Sequence, residues 1–293
     1  MGAERQCSCL IVGCGYLGKP LAAALRLDRW RVGTVVKSDA SHDELMGQGF
    51  EVFQGDVVES RFWQSLSSDW SHVVYCPSTG GGGVEAYRQI HEVGLQNCLE
   101  WLSSESHLIY TSSTSVYGQQ DGELVDETSH TYPASASGQE LVKAEQRVCE
   151  AGHTVLRLGG IYGPQRGVLL KRLREGSALI PEQDPKWLNL IYLSDIISAI
   201  RHGLTGKLES GEVYNVIDNE PASYKEIYDW LCQFLKLPLP EMGTPDYFGK
   251  RGITNKRVSN QKLRRTGWMP QYPSFREGYA EMIDRDNGQV SLG

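Results

Sequence analysis

Apolar positions over the first 113 residues fall into short runs separated by stretches of helical periodicity. "CSCLIV", ending at Val12, has the length of a buried strand. Leu17, Leu21, Ala24 and Leu25 then recur at helical spacing, and "WRVGTVV" supplies a second strand. "FEVFQGDVV" and "SHVVYCPS" read as the third and fourth strands, and "HLIYTSS" as the fifth. Between the last two, Tyr87, Ile90, Val93, Gly94 and Leu99 mark a helix over 84–102. Strands alternating with helices predict a parallel sheet covered on both faces, an α/β doubly wound architecture. Ligands of such a sheet lie beyond the carboxyl ends of its strands.

The turn after the first strand carries Gly13, Gly15 and Gly18, a G-x-G-x-x-G inside a βαβ unit of roughly 30 residues. Gly13 permits a tight turn, Gly15 lets a pyrophosphate reach the backbone without meeting a Cβ, and Gly18 lets the helix pack closely. Tyr16 and Leu17 complete the loop, and Pro20 falls in the first helical turn, where its missing N–H is not needed. The free N–H groups and positive dipole end of the helix suit phosphates. A glycine turn without a ligand is the competing reading; the order strand, glycines, helix, strand favours a dinucleotide.

An NAD site ends its second strand with an acid for the ribose 2′-OH, whereas this one ends "VVKSD". Lys37 suits a 2′-phosphate and favours NADP, the alternative being an exposed loop lysine among loop polar residues such as Asp39 and Ser41. Asp56 and Val57 follow the third strand, and Pro77 and Ser78 the fourth, near where adenine and phosphates would lie.

Composition narrows the class. The 293 residues are 40% hydrophobic and 22% charged, as in a globular protein long enough for a full core. The net charge is -7, and "KRLR" and "KLRR" are short, which argues against nucleic acid as a partner. Seven cysteines, mostly inside apolar runs, read as thiols of a reducing compartment. Cys7 and Cys9 form C-x-C without a second pair, so no metal site is expected. No apolar run reaches about 18 residues, which predicts no membrane span and a cytoplasmic location.

Four later segments, "TSSTSVYG", "LRLGGIYGPQR", "NLIYLSDI" and "GEVYNVIDNEPASYKEI", stand in the order found in the extended short-chain dehydrogenase/reductases, and the chain resembles that family over nearly its whole length. The resemblance implies a Rossmann domain of residues 1–160 with 190–216, and a smaller substrate-binding part of 161–189 with 217–293. It implies an NAD(P) cofactor, a sugar nucleotide or similar polar small molecule as substrate, and a homodimer formed through residues 84–102 and 137–150. Ser113, four residues before Tyr117, takes the place of the residue that hydrogen-bonds the reacting group, a strand-end hydroxyl being the alternative; Ser112 and Thr114 would support it. "LPLPEMGTPDYFGKRG" and "TGWMPQYPSFREGY" suit loops and short helices that shape a pocket.

The family's Y-x-x-x-K pair is missing. Matching Gly138 and Glu145 puts Ser137 at the tyrosine and Leu141 at the lysine; a less favoured register uses Gln139 and Lys143. Neither Ser nor Gln replaces a phenol, which leaves a proton-transfer factor of ~10²- to 10⁴-fold to some other group. Tyr162, Tyr132, His130, Glu140 and Lys143 are the nearby titratable residues, each better read as surface or packing. The pattern resembles the atypical members of the family. Two readings stay open: an epimerase, dehydratase or reductase with a non-standard proton donor, or a non-catalytic NAD(P)-binding sensor.

Overall fold

Strand β1 (Ser8–Val12) is buried at all five positions, as a strand covered on both faces should be. This computed structural model describes residues 7–182, 185–244 and 254–290. After β1 come α1 (Gly18–Leu27), β2 (Arg31–Val36), α2 (Asp39–Gly47), β3 (Glu51–Gln54), α3 (Ser60–Gln64), β4 (His72–Tyr75), α4 (Gly83–Arg88), α5 (Leu95–Trp101) and β5 (His107–Ser113). The chain continues through β6 (Glu123–Val125), α6 (Ala136–Glu150), β7 (Thr154–Leu158), β8 (Gly160–Tyr162), α7 (Val168–Arg174), β9 (Ile180–Pro181), β10 (Trp187–Leu188), β11 (Leu190–Tyr192) and α8 (Leu193–Leu204). It ends with β12 (Val213–Val216), β13 (Ala222–Ser223), α9 (Tyr224–Leu235), β14 (Met242–Gly243), β15 (Lys256–Val258), α10 (Gln261–Arg265) and α11 (Phe275–Val290).

The seven-stranded sheet runs β12-β7-β5-β4-β1-β2-β3, with the pairs from β3 to β5 parallel. Its order turns back at β1, which pairs with both β2 and β4. That is the switch point at which a doubly wound sheet opens a crevice for ligand.

Two local features depart from the sequence pattern. The helix expected over 84–102 contains a π-helical stretch, Gln89–Gly94, between α4 and α5. The Tyr75 hydroxyl donates to the Ile90 carbonyl at 2.7 Å, drawing one carbonyl out of the helical ladder. A Cβ on Gly94 would come within 2.7 Å of that hydroxyl and of Val57, so the close approach needs a glycine. Asp39 and Ser41, read as loop residues, lie in α2; Ser38 caps it, accepting from the Ser41 N–H at 3.3 Å.

Two compact units emerge: Met1–Ser113, Ala136–Leu156 and Ile200–Val213 in the first, and Thr114–Ser135, Arg157–Ala199 and Tyr214–Gly293 in the second. These bounds differ from those drawn on the sequence. Residues 114–135 join the second unit because β6 pairs in parallel with β15, and 190–192 join it because β11 pairs with β8. The second unit's core gathers Tyr162, Leu173, Tyr192, Ile227, Tyr228, Tyr272, Phe275 and Tyr279. The aromatic residues of "TGWMPQYPSFREGY" are therefore core: Trp268, Tyr272, Phe275 and Tyr279 are all buried. Residues 245–252 of the other pocket-like segment lie outside the described residues. Among the described residues no helix is long and apolar enough to cross a membrane.

Candidate functional site

Each glycine of the first turn has a measurable reason. Gly13 adopts φ +90°, and a Cβ there would lie 2.3 Å from the Pro77 Cα, so the ends of β1 and β4 approach as only glycine permits. Gly18 packs α1 onto β1: its Cβ would lie 2.9 Å from the Gly13 carbonyl and 3.2 Å from Ile11 Cγ2. Gly15 is different. It is exposed, and a Cβ there would meet no heavy atom of the protein within 4 Å. Two glycines are thus explained by the fold, and the third opens onto space where phosphates could meet bare backbone ahead of the α1 N-terminus. Tyr16 is half-buried and Leu17 buried. Cys14, inside the loop, is no nucleophile, because burial pushes its thiol up to about 12.

The other predicted cofactor residues surround the same carboxyl edge. The Lys37 ammonium, 77% exposed at the end of β2, pairs with the Asp56 carboxylate at 2.6 Å. Asp56 Oδ1 also accepts from the Val58 N–H at 3.3 Å. The Val57 carbonyl accepts from the Trp63 indole at 2.8 Å and the Asn97 amide at 3.1 Å, which fixes the backbone beside Asp56. Pro77 is half-buried against Gly13, and the exposed Ser78 accepts from the Gly80 N–H at 3.3 Å. Ser113 ends β5, half-buried, on the edge where β1 and β4 end.

Helix α6 turns Gly138, Leu141, Ala144, Glu145 and Val148 inward. Glu145 is 3% exposed and accepts from the Ser112 hydroxyl at 2.5 Å, which makes the Glu145–Ser112 pair a clamp behind Ser113. Ser137 is half-buried and Leu141 buried, whereas Gln139 and Lys143 face solvent, Lys143 pairing with Glu140 at 2.8 Å. The inward position one turn after Ser137 is therefore a hydrocarbon side chain, Leu141.

Other proton donors separate by burial. Tyr162 is 3% exposed, its hydroxyl reaches the Ser274 carbonyl at 3.4 Å, and burial drives its phenol far up. Such a phenol holds its proton and lies in packing. His130 and Tyr132 stay accessible, ring against ring at 5.7 Å. Gly118 matters to their placement, since a Cβ there would lie 2.0 Å from the Tyr132 carbonyl.

Sequence reading missed the role of Tyr117, used only for counting. It is fully buried, accepts from Arg157 Nη1 at 2.7 Å and donates to Asn215 Oδ1 at 3.0 Å. Burial pushes this phenol up to about 12, against the pull of Arg157. Asn215 in turn donates its N–H to Glu127 at 2.6 Å, whose carboxyl is raised by burial. The V-Y-G tyrosine is thus a structural tie of the second unit.

Comparison with known proteins agrees with this geometry. The sequence profile of the NAD dependent epimerase/dehydratase family matches residues 9–216. Protein YeeZ of Escherichia coli K12 is 28% identical over 277 residues, covering 90% of this chain and 95% of that protein. Among solved structures, the UDP-glucose 4-epimerase of Thermus thermophilus, in complex with NAD, superposes with a TM-score of 0.79 at 19% identity, covering 96% of this chain and 99% of its own. The UDP-glucose 4-epimerase of Thermotoga maritima, with UDP-glucose, gives 0.78 at 16% identity, covering 97% and 99%.

Proposed function

The chain belongs to the NAD dependent epimerase/dehydratase family, and from that premise we propose that it is an NAD(P)-dependent epimerase, dehydratase or reductase acting on a sugar nucleotide or similar polar small molecule, with a proton donor other than the usual tyrosine. The observation that carries this reading is Gly15, the one cradle glycine that protein packing does not require. Gly13, Gly15, Tyr16, Leu17 and Gly18 would hold the pyrophosphate, and Asp56, Val57, Pro77 and Ser78 would border the adenosine. A bound nicotinamide would supply reversible hydride transfer. Ser113 would hydrogen-bond the reacting hydroxyl or carbonyl, held in place by the Ser112–Glu145 pair behind it. His130, Tyr132 and Lys143 are accessible titratable groups near in sequence to the missing pair. The nucleotide sugar is suggested by the UDP-glucose bound to the Thermotoga relative in fold.

NADP is the favoured cofactor, on the exposed Lys37 ammonium at the end of β2. A 2′-phosphate would have to draw Lys37 away from Asp56. Equal affinities for NAD and NADP in Lys37→Ala, where the parent prefers NADP, support that role; an unchanged preference ends it. A homodimer through the helices of 84–102 and 137–150, and a cytoplasmic location, complete the reading, the first to be checked by light scattering. The second reading is a non-catalytic NAD(P)-binding sensor, favoured by buried Leu141 where the pair would place a lysine. Product analysis across a nucleotide-sugar panel separates the two. The enzyme reading expects turnover that falls at least tenfold in Ser113→Ala, an effect of about 1.4 kcal/mol or more; binding without turnover anywhere on the panel favours the sensor.

A further inference from the structure

Helix α5 is reached through the π-helical stretch Gln89–Gly94, in which the Leu95 N–H reaches back to the Ile90 carbonyl, an i→i−5 bond. Such a turn holds one residue more than an α-helical one, so side chains after it are rotated by about 100° from where a continuous helix would put them. Counted from α4, Val93 and Gln96 would otherwise fall where Gly94 and Asn97 now lie. Val93 has no room there, since even a Cβ on Gly94 would lie 2.7 Å from Val57 Cγ2 and from the Tyr75 hydroxyl. The rotation thus puts a glycine against Val57 and, three residues on along the same face, an asparagine against the loop that follows β3.

Asn97 makes specific use of that place. Its Nδ2 donates to the Val57 carbonyl at 3.1 Å and to the Val58 carbonyl at 3.0 Å, and the Trp63 indole also donates to the first, at 2.8 Å. The Val57 carbonyl and the Val58 N–H belong to one peptide plane. Asn97 and Trp63 hold the oxygen of that plane, while Asp56 Oδ1 accepts from its N–H at 3.3 Å. The carboxylate that pairs with Lys37 at 2.6 Å is therefore fixed, through one peptide, by an amide from α5. Simple packing would need only the hydrocarbon of Val57; an amide that gives both its hydrogens to successive carbonyls sets the orientation of the loop.

The rotation is anchored in the sheet. Tyr75, fully buried at the end of β4, donates to the same Ile90 carbonyl at 2.7 Å. We propose that the π-helical stretch is a positioning device for the dinucleotide: Tyr75 holds the stretch, the stretch sets the phase of α5, and Asn97 then holds Asp56–Val58 in the form that receives the adenosine. The loop stands at the carboxyl end of β3, where a doubly wound sheet takes its ligand, and π-helical turns recur at functional sites. This inference rests on the cofactor site proposed above; Asn97 and Tyr75 act on it through the loop.

Fluorescence titration of the full chain with NADPH and NADH, beside urea unfolding, tests this. Asn97→Leu removes both donors at nearly constant volume, and Tyr75→Phe removes only the hydroxyl that holds the Ile90 carbonyl. Where the urea curves show them folded, both variants should bind the parent's preferred dinucleotide about tenfold more weakly. Amide hydrogen exchange over residues 55–60 should also be faster in both before any cofactor is added. Tyr117→Phe is the control for plain destabilisation and should keep the parent's Kd and its exchange over 55–60. Should Asn97→Leu fail to fold, Tyr75→Phe decides by the same two readings. The parent's Kd in either folded variant, or unchanged exchange over 55–60, overturns the positioning role and leaves the cofactor site standing. A parent that binds neither dinucleotide removes the cofactor reading and this inference with it, and faster exchange would then mark Asn97 as a structural tie alone.

Discussion

Gly15→Ala separates folding from cofactor binding, because the structure gives this glycine no packing reason to exist. Its φ lies outside the left-handed region, and the added Cβ meets nothing within 4 Å. Folding stability should therefore change by less than about 1 kcal/mol, with a slight gain from the stiffer unfolded chain. Dinucleotide binding should suffer instead, since the Cβ would occupy the space a pyrophosphate needs. Losing two N–H to phosphate hydrogen bonds at about 1.5 kcal/mol each removes ~3 kcal/mol, roughly a hundredfold in Kd. Gly13→Ala is the control: strain at φ +90° and a Cβ 2.3 Å from the Pro77 Cα should destabilise the fold itself by ~2 kcal/mol or more. Urea unfolding reads the first quantity and fluorescence titration with NADPH and NADH the second. A Gly15→Ala protein that binds both cofactors with the parent's Kd would refute the assignment of this loop to the phosphates.

Three further outcomes follow from buried polar groups. Asp218, 1% exposed with Oδ2 unpartnered among the described residues, is held well above the usual carboxylate range by burial, so the native state keeps a proton that the unfolded chain loses above its ordinary value of 3.8; stability is lost as pH rises from there, and Asp218→Asn should raise the urea midpoint at pH 7 by about 1–3 kcal/mol equivalent, with no gain below pH 3.8. His91, buried and bonded to the Tyr110 hydroxyl at 2.8 Å, is depressed by burial from 6.5 to about 4; the unfolded chain takes up its proton first, so up to ~3 kcal/mol present above pH 6.5 drains away on acidification towards pH 4, a slope that His91→Gln should flatten in pH-dependent denaturation and that must persist if the imidazole is not responsible. Tyr117→Phe removes the acceptor of Arg157 Nη1 and the donor to Asn215 Oδ1, and should lower stability by about 1–3 kcal/mol; an unchanged midpoint would show that the pair is not a structural tie.

What the sequence made legible was local. The β1–α1–β2 unit declares itself because period and glycine placement are written within one stretch of chain, and Gly13 and Gly18 are where that pattern requires them. Helix α2 escaped because only Leu45 of its residues is buried, which leaves almost no apolar face to read. The π-helical stretch depends on a hydroxyl from another strand, Tyr75, so no periodicity within 84–102 could reveal it. The same holds for the structural role of Tyr117, whose partners Arg157 and Asn215 lie 40 and 98 residues away.

The central claim is that the glycine turn holds a nicotinamide dinucleotide. Equilibrium titration of the intact chain with NAD, NADP and their reduced forms tests it directly. Saturable binding of one dinucleotide per chain, tighter for the NADP pair, is predicted; no saturable binding of any of the four at millimolar concentration would contradict it.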